Sequence, residues 1–144
     1  MLSKGTEYAI RALVYIQLQN RVDRRPGVEE IGKEIDAPVA YSAKILQTLT
    51  KRGLLLSMKG RGGGFFFEDG ATLTLYDVIV AMEGDLFFTK CGFGLKDCCH
   101  DNPCPLHDQY LSIRGGFYQV VKSETIQGLA DKIQDGKAIL KRLT

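Results

Sequence analysis

VEEIGKEIDAPVAYSAKILQTLTKRGLLLSMKGRGGGFFFEDG, residues 28–70, sets two short helical patterns, a turn and a glycine-rich hairpin in direct succession. In VEEIGKEI the apolar residues Val28, Ile31 and Ile35 recur on one helical face, and Glu29 and Glu30 sit where a helix N-terminus favours acids. Pro38 disfavours helical dihedrals at Ala37, so this helix ends there. The next run, VAYSAKILQTLTK, turns Ile45, Leu46 and Leu49 inward and stops at Gly53, behind the basic pair Lys51-Arg52. Two helices across a turn of about four residues predict a helix-turn-helix whose second helix enters a major groove. LLLSMKGRGGGFFF then reads as strand, basic glycine turn, strand. A hairpin directly after a helix-turn-helix is a wing, and its tip carries Lys59 and Arg61 on a backbone able to approach a duplex closely.

The charge distribution agrees with that reading. The net charge is only +2, but residues 1–70 hold eleven Lys/Arg against eight Asp/Glu, whereas residues 71–144 hold eight against nine. From Ala37 to Phe67 there are Lys44, Lys51, Arg52, Lys59 and Arg61 and no acid, a local preference for a phosphate backbone. A P-loop does not fit KGRGGG, because no Gly-Lys-Ser/Thr ending and no following helix accompany the glycines.

Working outward, Ala9, Ala12, Leu13 and Ile16 predict a first helix over Ser3–Gln19. Thr74 caps a helix LYDVIVAME that stops at Gly84. Pro105 suits the first turn of a further helix, along which Leu106, Tyr110, Ile113, Phe117 and Val120 form a stripe suited to a partner helix. Gly115-Gly116 within it predicts either a bend or the close approach of another backbone. Ser123 is read as the cap of a last helix with Ile126, Leu129 and Ile133, followed by the basic tail KAILKRLT. The expected fold is therefore mainly α with a small β-hairpin wing. Its parts are a winged helix-turn-helix DNA-binding domain (1–84), a cysteine-rich loop (85–105) and a dimerisation helix with a C-terminal helix (106–144).

No segment approaches the roughly 18 continuous apolar residues of a membrane span. The N-terminus lacks the order of a signal peptide, since Lys4, Glu7 and Arg11 interrupt it, and the compartment is read as cytoplasmic. In a reducing compartment the four cysteines, all within CGFGLKDCCHDNPCPLH (91–107), point to metal or thiol redox work rather than to disulfides. Adjacent Cys98 and Cys99 would also need different partners within a very short loop. A loop rich in Gly, Asp, Lys, Asn and Pro is poorly suited to bury four sulfurs as small hydrophobes. In the spacing C-x6-C-C-x4-C-x2-H, Cys91, Cys98 and Cys104 converge with His107 on the first turn of the next helix. Zinc and iron–sulfur both accept three cysteines and a histidine. The wide spacing, without a C-x2-C knuckle, favours the cluster. His100 is read as a solvated loop residue rather than a ligand, and no nucleophile and base stand together, so an enzyme is not expected.

The SKGTEYA opening, GLLLSMKGRGGGF and the cysteine pattern ending in CPLH together resemble the Rrf2 family of bacterial winged-helix transcription regulators over nearly the whole chain. The resemblance to IscR-like members implies a two-iron cluster (2Fe-2S) held by Cys91, Cys98, Cys104 and His107, with Cys99 as alternate to Cys98 because the five-residue gap before Cys104 is the family's. NsrR-like members instead imply four irons (4Fe-4S) with a carboxylate from the partner's first helix, the place of Glu7. Tyr41, Lys44 and Gln47 are the candidate groove contacts, and Lys4, Lys59 and Arg61 the candidate phosphate or minor-groove contacts. Ala43 replaces the glutamate of IscR-like recognition helices, and Pro38 and Ala40 replace neighbouring serines, so the operator sequence does not transfer. The resulting expectation is a homodimer on a double-stranded operator, its affinity controlled by a cluster sensing iron–sulfur status, redox or nitric oxide. Rival expectations are the same regulator with structural zinc or no metal, and a small electron-transfer protein.

Overall fold

A computed structural model describes residues 2–141; the last three residues of the basic tail lie outside the described residues. Helix α1 (Lys4–Asn20) begins at Ser3, whose hydroxyl accepts the Thr6 N–H at 3.2 Å. Its buried face, Ala9, Ala12, Leu13 and Ile16, is the face read from the periodicity. The helix-turn-helix pair follows as α2 (Val28–Glu34) and α3 (Val39–Lys51), with Pro38 as the residue preceding α3. Ile31, Ile35, Ile45, Leu46 and Leu49 close a single core with α1, so the pair is held by apolar packing, the largest favourable term in folding.

The wing is the antiparallel pair β1 (Leu56–Met58) and β2 (Gly64–Phe66), in the register Leu56↔Phe66, Ser57↔Phe65 and Met58↔Gly64. Its base is tied to the α1–α2 turn: the Phe65 N–H reaches the Pro26 carbonyl at 2.9 Å, and the Asn20 carboxamide accepts the Phe67 N–H at 2.9 Å. Gly64 is required there. At φ +145° its missing side chain lets the Arg25 carbonyl lie where a Cβ would stand. The Arg25 guanidinium then stacks on Phe66, 3.9 Å from the ring centre.

Helix α4 (Leu75–Glu83) starts with a reciprocal capping box between Thr74 and Asp77 and stops at Gly84, φ +94°. A 3₁₀ turn, α5 (Asp85–Phe88), leads into the cysteine loop, and a long helix, α6 (His107–Ser123), leaves it. Phe88, Ile79 and Val121 make a second, smaller core, wrapped by Tyr76, Phe87, Phe117 and Tyr118. The helix runs on through Gly115-Gly116, and among the described residues nothing beyond the helix's own nearby backbone and the adjoining residues stands within 4 Å of a Cβ built at either.

The last helix, α7 (Ile126–Gln134), is capped by Thr125, whose hydroxyl accepts the Gly128 N–H at 2.9 Å, and not by Ser123, which ends α6. The cause is tertiary. An isolated bridge pairs Thr125 with Thr74, the Ile126 N–H reaches the Leu73 carbonyl at 2.8 Å, and this pairing holds Glu124 extended. Helix α7 returns to α1, where Ile126 and Ala130 join the main core and Arg21 meets Asp131 at 2.7 Å. No helix among the described residues is long and apolar enough to cross a membrane.

Candidate nucleic-acid interface and metal-binding loop

Along α3 the chain alternates buried and exposed positions at helical spacing. Ser42, Ile45, Leu46 and Leu49 are buried; Tyr41, Lys44 and Gln47, three residues apart, stand exposed on the other side. Lys59 and Arg61 are exposed at the wing tip, and Lys4 is exposed on the first turn of α1. Tyr41 is not a free-standing side chain: its ring packs edge-on against Tyr8, centroids 5.6 Å apart. Lys4 and Arg11 lie over Tyr8 at 5.5 and 5.2 Å, so α1 presents two cations beside the start of α3. Arg11 also donates to the Ile35 carbonyl at 2.7 Å, closing the end of α2. Tyr8, Arg11 and the wing-stacked Arg25 are not among the contacts expected from the sequence. For the first two, their spacing of four and seven residues from Lys4 along one helix was the available signal.

The cysteine loop is built against α6. Tyr110 lies flat on the backbone at Gly92, where a Cβ would collide with the ring, and this places buried Cys91 at the foot of the helix. Arg114, one turn further on, donates to the Lys90 carbonyl at 3.0 Å and brings its other terminal nitrogen 3.9 Å from Cys98 Sγ. It too was unread in the sequence.

The sulfurs and the imidazole gather as two pairs. Cys91 and Cys104 lie near enough to shift each other's thiol, and Cys98 Sγ lies 3.6 Å from Nδ1 of buried His107. The Phe93 N–H, 3.4 Å from Cys91 Sγ, is the first cause holding the Cys91 thiol below its ordinary value. Burial first, and then the neighbouring Cys91 thiol, pushes Cys104 up. Cys99 is exposed, and Glu7 lies on the first turn of α1, with no hydrogen bond among the described residues joining it to the loop. His100 is exposed, as expected of a solvated loop residue, and it makes one further contact: its Nδ1 lies 3.0 Å from His107 Nε2, with the rings edge-on at 85°. Among the described residues no three His, Cys, Asp or Glu side chains close on a single ion position.

The donor set fits a soft metal group spread over more than one atom. A single tetrahedral zinc needs all four donors on one point at 2.0 to 2.3 Å, whereas a two-iron cluster takes two protein ligands on each iron. Cys91 and Cys104 on one side, and Cys98 beside His107 on the other, would meet the second demand if a cluster is bound.

A basic-tipped hairpin behind a helix-turn-helix, with an exposed polar face on α3, defines a winged-helix DNA-binding protein. The sequence model of the family described as "Rrf2: Iron-dependent Transcriptional regulator" matches residues 2–132, and the chain belongs to that family, one of transcriptional regulators and not of enzymes. It is 34% identical over 133 residues to a protein of Aquifex aeolicus (strain VF5) described as a helix-turn-helix-type transcriptional regulator, covering 90% of each. It is 30% identical over 127 residues to the transcriptional regulator IscR of Vibrio vulnificus (strain YJ016), covering 88% of this chain and 74% of that one. Among solved structures, CymR, the global cysteine regulator of B. subtilis, shares the fold with a TM-score of 0.74 at 20% identity, over 91% of this chain and 96% of that one.

Proposed function

We propose that the protein is a cytoplasmic, homodimeric regulator whose affinity for a double-stranded DNA operator is set by an iron–sulfur cluster held by Cys91, Cys98, Cys104 and His107. The observation that carries this reading is Cys98 Sγ 3.6 Å from His107 Nδ1 at the foot of α6, with the Cys91 and Cys104 thiols beside them. A cluster there would supply one-electron redox chemistry and sensitivity to oxidants, nitric oxide or iron supply. The donors favour two irons, since the imidazole already completes the second pair; a four-iron group completed by the partner's Glu7 is the variant that the same measurements separate.

The chain's own residues provide the coupling. Arg114 and Tyr110 fasten the loop to α6, and α6 is joined to the DNA-binding core through the Phe88 and Val121 packing on α4. Ordering or releasing the loop therefore acts on the joint between the winged helix (1–84) and the arm beyond residue 106. Along that arm Leu106, Ile113 and Val120 are 45%, 64% and 53% exposed, an apolar stripe that a second copy would cover, with the open Gly115-Gly116 as a place of close approach. A two-fold dimer would set two α3 helices on major-groove faces about 34 Å apart. Tyr41, Lys44 and Gln47 then face base edges, and Lys4, Lys59 and Arg61 the phosphates or the minor groove.

The test begins with protein purified without oxygen, whose iron and sulfide are counted and which is used to select duplexes from a random pool. Cys91→Ser should be colourless. Its affinity for the selected duplex should differ from that of the loaded protein by roughly 5- to 150-fold, the range of ordinary coupling energies. Equal affinity with and without iron sinks the switch, and an iron-poor, colourless native protein that still selects a duplex returns the zinc or metal-free reading. The dimer is checked by sedimentation. Lys59→Ala with Arg61→Ala should lower the slope of log affinity against log salt by about 2.

A further inference from the structure

We infer that His100 is a positioning residue for the His107 imidazole: its Nδ1 accepts the His107 Nε2–H, which leaves His107 Nδ1 unprotonated on the side of the thiols. The inference rests on the cluster reading above. A neutral imidazole has one N–H donor and one lone-pair acceptor, so a bond made at one nitrogen decides the state of the other. His107 Nε2 lies 3.0 Å from His100 Nδ1, and His107 Nδ1 lies 3.6 Å from Cys98 Sγ. With the proton on Nε2, Nδ1 offers its lone pair beside Cys98, as a metal ligand must. With the two roles exchanged, the proton sits between His107 and Cys98 and the ring cannot ligate until it leaves. A ligating histidine is ordinarily held this way by an outer partner, which sets its tautomer and ring plane.

Burial supports the assignment of roles. His107 is 7% exposed on the first turn of a helix and has little freedom to find another partner, while exposed His100 can keep its own proton on Nε2 at no desolvation cost. The contact also pins the loop. His100 follows Cys98 by two residues, so its edge-on packing against His107, centroids 4.7 Å apart, presses that part of the loop onto α6 beside Arg114.

Two measurements test the pair. In cluster-free protein labelled with 15N-histidine, long-range 15N–1H correlation spectra at mildly alkaline pH should show His107 as the Nε2–H tautomer, and the His100→Ala variant as a mixture. In anaerobically reconstituted protein, His100→Ala should lose iron to a chelator about 10-fold faster than the native chain, with altered visible circular dichroism. His100→Asn, whose carboxamide oxygen can accept the same bond, should restore the native rate. An Nδ1–H tautomer in the native chain, or an unchanged rate of loss in His100→Ala, overturns the assignment. A native protein that takes up no iron instead defeats the cluster reading itself.

Discussion

The DNA-binding head and the cysteine loop are held by different physics. In the head, Leu13, Ile16, Ile31, Leu46 and Leu49 are fully buried in one core, the hairpin base is pinned by backbone bonds to the α1–α2 turn, and α7 closes over α1. Between Cys91 and Pro105, Cys91 is the single buried residue, and the segment is held by an aromatic ring, an arginine and one imidazole, His107, all borrowed from α6. The head thus carries enough buried apolar surface to order itself, and the loop depends on a few polar contacts that are individually weak. A loop that responds to a bound group, as proposed here, would be drawn from this weaker kind of structure.

Substitutions can separate these two regimes. Leu46→Ala should show the largest effect, a loss of about 2–5 kcal/mol in urea unfolding, because a cavity opens in a core that cannot collapse around it. Cys91→Ser should leave that unfolding midpoint nearly unchanged; a comparable loss would mean that loop and head are one cooperative unit. Within the loop, Gly92→Ala forces a methyl into the Tyr110 ring and displaces Cys91, so iron retention should fall about 10-fold while helix content holds. Thr74→Ala removes one hydroxyl from the capping box and should cost about 1 kcal/mol, read from the same urea curves.

The smallest effect is a pH dependence confined to the head. Hydrogen bonding from Arg24 is the first cause holding the Glu30 carboxyl below its ordinary range, against the penalty of burial, with the Tyr15 hydroxyl adding a second bond. The unfolded chain therefore takes up this proton first as pH falls, and Glu30 contributes stability above the ordinary carboxylate range that is lost in acid. Burial, then the bond to Glu30, raises Tyr15 from 10.0 to about 12. The folded protein keeps that proton while the unfolded chain releases it, so its contribution is present below pH 10.0 and is lost as pH rises to about 12. Tyr15→Phe should flatten the alkaline limb of a thermal-midpoint profile. An unaltered limb would assign the loss to other groups.

Much of the head was legible because its signals are local. The proline at position 38, the glycine stop at 53, the Thr74 cap and the inward residues of α1 and α3 all act within a turn or two of themselves. Ser123 misled for a related reason: it has the right chemistry for a cap, and only the distant pairing of Thr125 with Thr74 moves the break onward. The His100 and Arg25 contacts were not legible because their partners, His107 and Phe66, meet them only after a loop or a hairpin has folded back.

The order of elements, the basic wing and the presence of a soft-metal donor set were therefore determined by sequence alone, since periodicity, capping and residue chemistry act over a few residues. Tertiary structure decided which sulfur stands beside His107, which cations stand beside α3 and where the last helix begins. Each of these depends on which surfaces the buried core brings together, and local propensity carries no information about that.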